Sequence, residues 1–140
     1  MAASTYPCYQ FPAAVRVRAD PTGRYDVHIG VGRVINPKTA RSQLLGGMTW
    51  GLSMALHEHS ILDPHFGDYV NHDLVGYHIA TNADVGIIEA SWLEEDDPQV
   101  NPMGAKGIGE AGIVGTAAAI ANAVLPRDRH PRPRSADHSG

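Results

Sequence analysis

The chain has 140 residues, 43% hydrophobic and 19% charged, which suits one folded domain and excludes a disordered acidic or basic polymer. A formal net charge of −4, with the 11 Lys and Arg dispersed until the last residues, excludes a nucleic-acid footprint on the folded part, and no nucleic-acid partner is expected. The single cysteine, Cys8, excludes an internal disulfide or a multi-cysteine metal site and reads as a plain surface thiol.

The first residues, MAASTYPCYQFPAAVRVRAD, lack the basic leader and continuous apolar core of a secretory signal. No apolar run reaches the ~18 to 20 residues needed to span a bilayer, so no membrane partner is expected and the cytoplasm is the expected location. Val15 to Ala19 alternates apolar and basic residues, Asp20-Pro21-Thr22-Gly23 supplies turn chemistry, and Tyr25, Val27 and Ile29 follow at period two. This pattern predicts a β-hairpin over Val15–Ala19 and Arg24–Val31. Asn36-Pro37 ends it, and Thr39 is the expected N-cap of the next element.

Residues 40–59 carry Leu44, Leu45, Met48, Leu52, Ala55 and Leu56 at spacings of three and four, which predicts one amphipathic helix. Gly46, Gly47 and Gly51 lie inside it, each costing up to ~1 kcal/mol against Ala, so the helix needs a small face. That face suits either close helix packing or the approach of a flat ligand. Asp63-Pro64 and Gly67-Asp68 mark a loop, Leu74–Ile79 reads as a short extended segment, and Val85–Leu93 as a strand. Glu94–Asn101 is acidic, broken by Pro98 and Pro102, and reads as a loop. Ala111–Val124 is Ala-rich, with Ile113, Ala117, Ile120 and Val124 on one face of a predicted helix, and Glu110 stands at its start. The Pro- and Arg-rich residues 125–140 read as a disordered tail after a folded 1–124.

Gly107-Ile108-Gly109-Glu110-Ala111-Gly112 spells G-x-G-x-x-G, but residues 94–106 separate it from the nearest strand and no second strand follows. A dinucleotide loop therefore fails on context. What the glycines do is remove Cβ atoms on either side of one carboxylate, so that a large ligand could come close to Glu110; a helix cap and a plain turn explain the same spelling. His57-Glu58-His59 lacks the i, i+4 spacing of a helical zinc pair, and His65, His72, Asp73 and His78 are too loosely arranged to specify a site. No residue is expected to ligate a metal.

Three blocks carry a resemblance: GRVINPKTARSQLLGGMTWGLSMALHEHS, VNHDLVGYHIATNADVG and NPMGAKGIGEAGIVGTAAAIANAV. In order and spacing they resemble the carboxy-terminal end of the molybdopterin-binding large subunit of the xanthine dehydrogenase and aldehyde oxidase family. The resemblance runs from about Val15 to Val124 and covers only the last part of a much longer family subunit. It implies an α+β fold, a β-hairpin and short strands packed with two glycine- and alanine-rich helices, as a fragment of a larger molybdopterin-binding domain. It also implies a molybdenum hydroxylase that oxidises aldehydes or N-heterocycles with water-derived oxygen.

The family's catalytic base is the glutamate of the G-x-G-E turn, which falls on Glu110, with Ala105, Lys106, Gly107, Ile108 and Gly109 as the turn against the cofactor. Such a base implies a dry pocket. The cofactor implied is molybdenum-molybdopterin, in its dinucleotide form if the source is bacterial. The implied partners are the remainder of the subunit, iron–sulfur and FAD modules, and the aldehyde or N-heterocycle. Some family members have Gln where Trp50 stands, and an indole cannot accept the hydrogen bond that Gln can. The missing upstream part and the unfamiliar ending leave an alternative, a non-catalytic remnant or interaction module of a split subunit.

Overall fold

The computed structural model describes residues 24–124, together with the backbone of two earlier strands, β1 (Ala2–Cys8) and β2 (Phe11–Ala19). The tail at 125–140, the Asp20–Gly23 turn and the Cys8 thiol lie outside the described residues. β2 pairs antiparallel with β3 (Arg24–Gly30), with Val15 opposite Ile29 and Val17 opposite Val27, which is the hairpin expected from the period-two pattern. β1 extends the sheet antiparallel to β2, from Ala2 opposite Val17 to Cys8 opposite Phe11. This strand has no counterpart in the sequence reading; its Pro7 is tolerated because β1 stands at the sheet edge.

On its other side β3 pairs in parallel with β6 (Ile87–Leu93), giving the order β1-β2-β3-β6. Parallel neighbours require a crossover connection, and α1 (Pro37–Leu56) provides it. The helix begins earlier than expected. Asn36, not Thr39, is the N-cap, its Oδ1 accepting the Lys38 and Thr39 N–H groups at 3.1 and 3.2 Å. Pro37 sits in the first turn, where a missing N–H costs nothing, so Asn36-Pro37 starts a helix as well as ending a strand. At the other end α1 stops at Leu56, short of the predicted residue 59, and the His57 N–H closes on the Ser53 carbonyl.

The buried face of α1 is narrower than the predicted stripe. Ala40, Leu44, Met48 and Leu52 form one i, i+4 row in the core, whereas Ala55 and Leu56 are exposed. This row meets Val27, Ile29 and Val31 from the sheet and Ala111, Ala119 and Ile120 from the last helices.

The predicted Ala111–Val124 helix is divided at Gly115 into α2 (Ala111–Val114) and α3 (Thr116–Val124). The Gly115 N–H turns back to the Ile113 carbonyl, and the buried Thr116 hydroxyl donates to the Gly112 carbonyl at 2.7 Å. α1 lies beside β6, and α3 beside β1 and β2, so the architecture is one helical layer on a mixed sheet, an α+β arrangement.

Residues 57–86 make an excursion between α1 and β6. It holds a two-rung hairpin, β4 (Leu62–Asp63) with β5 (Asp68–Tyr69). The extended segment expected over Leu74–Ile79 is absent. Asp73 Oδ1 accepts the Val75 and Gly76 N–H groups at 3.0 and 2.7 Å, and this local turn competes successfully with a strand. Among the described residues, no helix is long and apolar enough to cross a membrane.

Candidate active site

The glycines of α1 divide into two kinds. A Cβ on Gly47 would come within 3.0 Å of the Gly112 backbone, and one on Gly51 would meet the Thr116 side chain at 2.5 Å. The reciprocal contact is as tight, since a Cβ on Gly112 would lie 2.6 Å from the Leu44 carbonyl oxygen. These glycines therefore serve close helix packing. Gly46 differs: a Cβ there would meet nothing within 4 Å, and the residue faces an open cleft.

From β6 the chain reaches Glu110 through a folded loop. Asn101 organises its second half: its Oδ1 accepts the Met103 N–H at 3.0 Å, and its amide donates to the Ala105 carbonyl at 2.7 Å. Gly104 then takes a positive φ of 66° and brings Ala105 into an antiparallel bridge with Gly32. The Arg33 N–H donates to the Gly104 carbonyl at 2.8 Å, and the Lys106 N–H to the Val31 carbonyl at 3.0 Å. Thus residues 104–106 run along the chain that leaves β3. Further on, the Gln43 side-chain amide donates to the Gly109 carbonyl at 2.9 Å, tying the turn to α1 one residue before Glu110.

Glu110 stands on the rim of a cleft of about 350 Å³ whose other walls include Ser42, Gln43, Gly46, Trp50 and Ile113. It makes no side-chain capping bond to α2, so the capping explanation of this residue is not what the structure shows. Gln43 and Gly109 also border a second cleft of about 370 Å³, where Ala105, Lys106 and Ile108 line the opposite side. Ala105, Lys106, Ile108 and Gly109 thus line the second cleft and Glu110 the first, and Gln43 and Gly109 border both. A Cβ on Gly107 would meet nothing within 4 Å, so the turn is open to a close neighbour there.

Two expectations change. Glu110 is exposed, and the dry pocket is not built by the described residues, because the cleft has walls from α1, the turn and the first turn of α2 and is otherwise open. Lys106 is committed elsewhere: its Nζ lies 3.6 Å from Glu95 Oε2 and 3.5 Å from Asp97 Oδ2. Trp50 is 65% exposed, its indole bordering the Glu110 cleft. Among the described residues no histidine lines either cleft. His57 and His78 pair at 5.1 Å between ring centroids beside Asp84, and among the described residues no three His, Cys, Asp or Glu side chains converge as metal ligands.

Gln43, Glu95 and Asp97 are the residues that sequence reasoning missed. The Gln43 bond spans 66 positions and the Glu95 bond to the Gly32 N–H spans 63, and no local pattern announces such pairings.

A helical layer on a mixed sheet, presenting a glycine turn and an exposed carboxylate beside an open groove, suits a domain that holds a large flat cofactor against its backbone. Residues 10–86 match the molybdopterin cofactor-binding domain family, and the chain belongs to it. Glu110 lies beyond those matched residues. The chain is 50% identical over 93 residues to the aldehyde oxidoreductase molybdenum-binding subunit PaoC of Escherichia coli, a match covering 66% of this chain and 13% of that subunit. It is 39% identical over 93 residues to the xanthine dehydrogenase molybdenum-binding subunit of Escherichia coli O157:H7, covering 66% of this chain and 12% of that one. Among solved structures, quinoline 2-oxidoreductase from Pseudomonas putida 86 superimposes with a TM-score of 0.65 at 28% identity, over 84% of this chain and 15% of that chain. The chain therefore spans only 12–15% of the length of these relatives.

Proposed function

We propose that this chain contributes the base-bearing turn of a molybdenum hydroxylase, with Glu110 as the base and Ala105, Lys106, Gly107, Ile108 and Gly109 as the backbone against which the cofactor lies. The observation that carries the reading is the position of Glu110. Its side chain makes no capping bond to its own helix and stands on the rim of a cleft beside Gly46, while Gln43 holds the preceding carbonyl. The family match and the molybdenum-binding relatives support the coarser reading, a part of a molybdenum hydroxylase.

The residues present fit a molybdopterin. Gly46, in the wall of the Glu110 cleft, and Gly107, in the turn before it, leave space where side chains would stand, so a planar group can reach the backbone at both places. Bound there, the molybdenum centre would supply the two-electron redox step. The part left to the chain is proton transfer and placement. Ionised Glu110 would accept the proton released as water-derived oxygen adds to an electron-poor carbon of an aldehyde or N-heterocycle. A solvated carboxylate is a weak base, so the rest of the subunit must close over Glu110 to dry it. The dinucleotide form of the cofactor, iron–sulfur and FAD modules that carry the electrons away, and a cytoplasmic setting belong to the same proposal.

The test is Glu110→Gln in the assembled enzyme. Molybdenum content should stay unchanged while turnover falls by ~10² to 10⁴, the usual contribution of a positioned base. Turnover near that of the parent enzyme would overturn the assignment. It would favour the second reading, a non-catalytic docking module, for which the exposed Phe66, Leu74 and Val75 of the excursion speak.

A further inference from the structure

The loop after β6 reads as an acidic connector, and nothing in the proposed chemistry uses its charge. Its carboxylates nevertheless turn onto the segment that leads to Glu110. Glu95 Oε2 accepts the Gly32 N–H at 3.0 Å and faces Lys106 Nζ at 3.6 Å; Asp97 Oδ2 faces the same ammonium at 3.5 Å. Between them, Asp96 Oδ1 occupies the space that a Cβ on Gly104 would need. The Lys106 side chain is 12% exposed against 37% and 34% for its two partners, so the cation is the sheltered member and solvent screens it less than a surface pair. The Lys106 N–H and the Gly32–Ala105 bridge fasten the same residues to the end of β3.

We infer that Glu95, Asp97 and Lys106 are positioning residues for Glu110, a clasp in which the acidic loop fixes the base of the turn while Gln43 fixes its tip. The inference rests on the base reading of Glu110 and takes the Lys106 ammonium out of the cofactor contacts. With the clasp closed, the turn is held at residue 106 and again at residue 109, and Glu110 has little freedom to leave the cleft. Without the cation, two carboxylates that shared one ammonium repel each other within the loop, and the attraction that held the loop to the turn is gone. A misplacement of about 1 Å is enough to cost a reacting group ~10²-fold in rate.

The experiment compares Lys106→Met, Glu95→Gln, their double variant, Lys106→Arg and Glu110→Gln in the assembled, cofactor-loaded enzyme. Three readouts are taken: molybdenum per subunit, kcat and KM separately, and hydrogen exchange of the Arg33 and Lys106 amides. For each clasp variant molybdenum content stays at the parent level and KM shifts little, while kcat falls about tenfold or more. The double variant is no worse than the worse single, because both remove one unit. Exchange of the two amides rises at least about tenfold in the clasp variants and is unchanged in Glu110→Gln. Lys106→Arg, which can still reach both carboxylates, keeps kcat and protection.

Loss of molybdenum in Lys106→Met but not in Glu95→Gln would overturn the inference and make the ammonium a cofactor contact. Parent-like kcat and exchange in Glu95→Gln would overturn it equally. Faster exchange in the clasp variants, with normal turnover in Glu110→Gln, would keep the clasp and remove the base.

Discussion

The seam between α1 and the last two helices and the excursion at residues 57–86 are opposite solutions to holding a chain in place. At the seam, Gly47 and Leu44 lie backbone to backbone against Gly112, and Gly51 lies against the Thr116 side chain, partners more than 60 positions apart in sequence. The excursion instead uses one carboxylate at a time to bind its own neighbours. Asp63 accepts from His65 and Phe66, Asp73 from Val75 and Gly76, and Asp84 from Thr81. These turns bind its backbone locally, yet large apolar side chains remain outside, with Phe66 86%, Leu74 87% and Val75 96% exposed. A segment can thus be held by local hydrogen bonds and remain incomplete in its packing. The seam is a core in its own right, and the excursion is a shaped surface of the kind that marks contact with another body.

The contrast breaks hardest at the seam. Gly112→Ala places a methyl 2.6 Å from the Leu44 carbonyl, where backbone must move, and overpacking of this kind costs ~1 to 3 kcal/mol. Gly46→Ala, on the same helix but with nothing within 4 Å of the new methyl, should instead stabilise by up to ~1 kcal/mol through helix propensity. Urea midpoints of the two variants should move in opposite directions; a shared direction would mean that the seam is looser than its geometry. A more local effect is expected from Asn71→Ala. Asn71 is buried, its Oδ1 accepting the Ile61 N–H at 2.8 Å and its amide donating to the His59 carbonyl. Its loss leaves both groups unmatched and should open the excursion locally by ~1 to 3 kcal/mol. Hydrogen exchange at Ile61 and Val70 should quicken while seam amides hold; a uniform loss would show the two regions to be one cooperative unit.

Legibility in the sequence follows the same division. Period-two and i, i+4 patterns are local, so the β2–β3 hairpin, α1 and β6 are readable, and the small face of α1 points to close approach even though it leaves the choice between helix and ligand open. Boundaries depend on which residue wins the cap, and Asn36 outcompetes Thr39 because Pro37 behind it is pre-set for a first turn. The break at Gly115 is hidden by an unbroken Ala-rich pattern and is set by packing of Gly112 and Thr116 on α1. At the site, the glycine turn and Glu110 stand out because unusual composition marks them. Gln43, Glu95 and Asp97 do not, since an exposed polar residue gains its meaning only from a partner far along the chain, 66 positions for Gln43 and 63 for Glu95. The exposure of Glu110 is unforeseeable for a different reason: whether a carboxylate is dry depends on walls brought from elsewhere, and the described residues do not build them.

The finest test of the comparison uses pH. Hydrogen bonds from Gly76 and Val75 hold the Asp73 carboxyl below the usual carboxylate range, and bonds from the Thr81 amide and hydroxyl do the same for Asp84. Both folded values lie under the unfolded ones, so as pH falls the unfolded excursion takes up protons before the folded one. The stabilisation is complete above the ordinary carboxylate range and is lost as pH drops through the two lowered values. The seam has no such dependence, because its contacts are made by glycine backbone, a threonine and aliphatic side chains. Acid should therefore strip protection from the Val75, Gly76 and Thr81 amides while the Ala119 amide keeps its bond to the Gly115 carbonyl. Asp73→Asn should flatten the pH response at Val75 and Gly76 and leave that of Thr81 intact. If Ala119 lost protection in step with Thr81, the carboxylate turns would be supporting the helical layer, and the excursion would belong to the core it leaves.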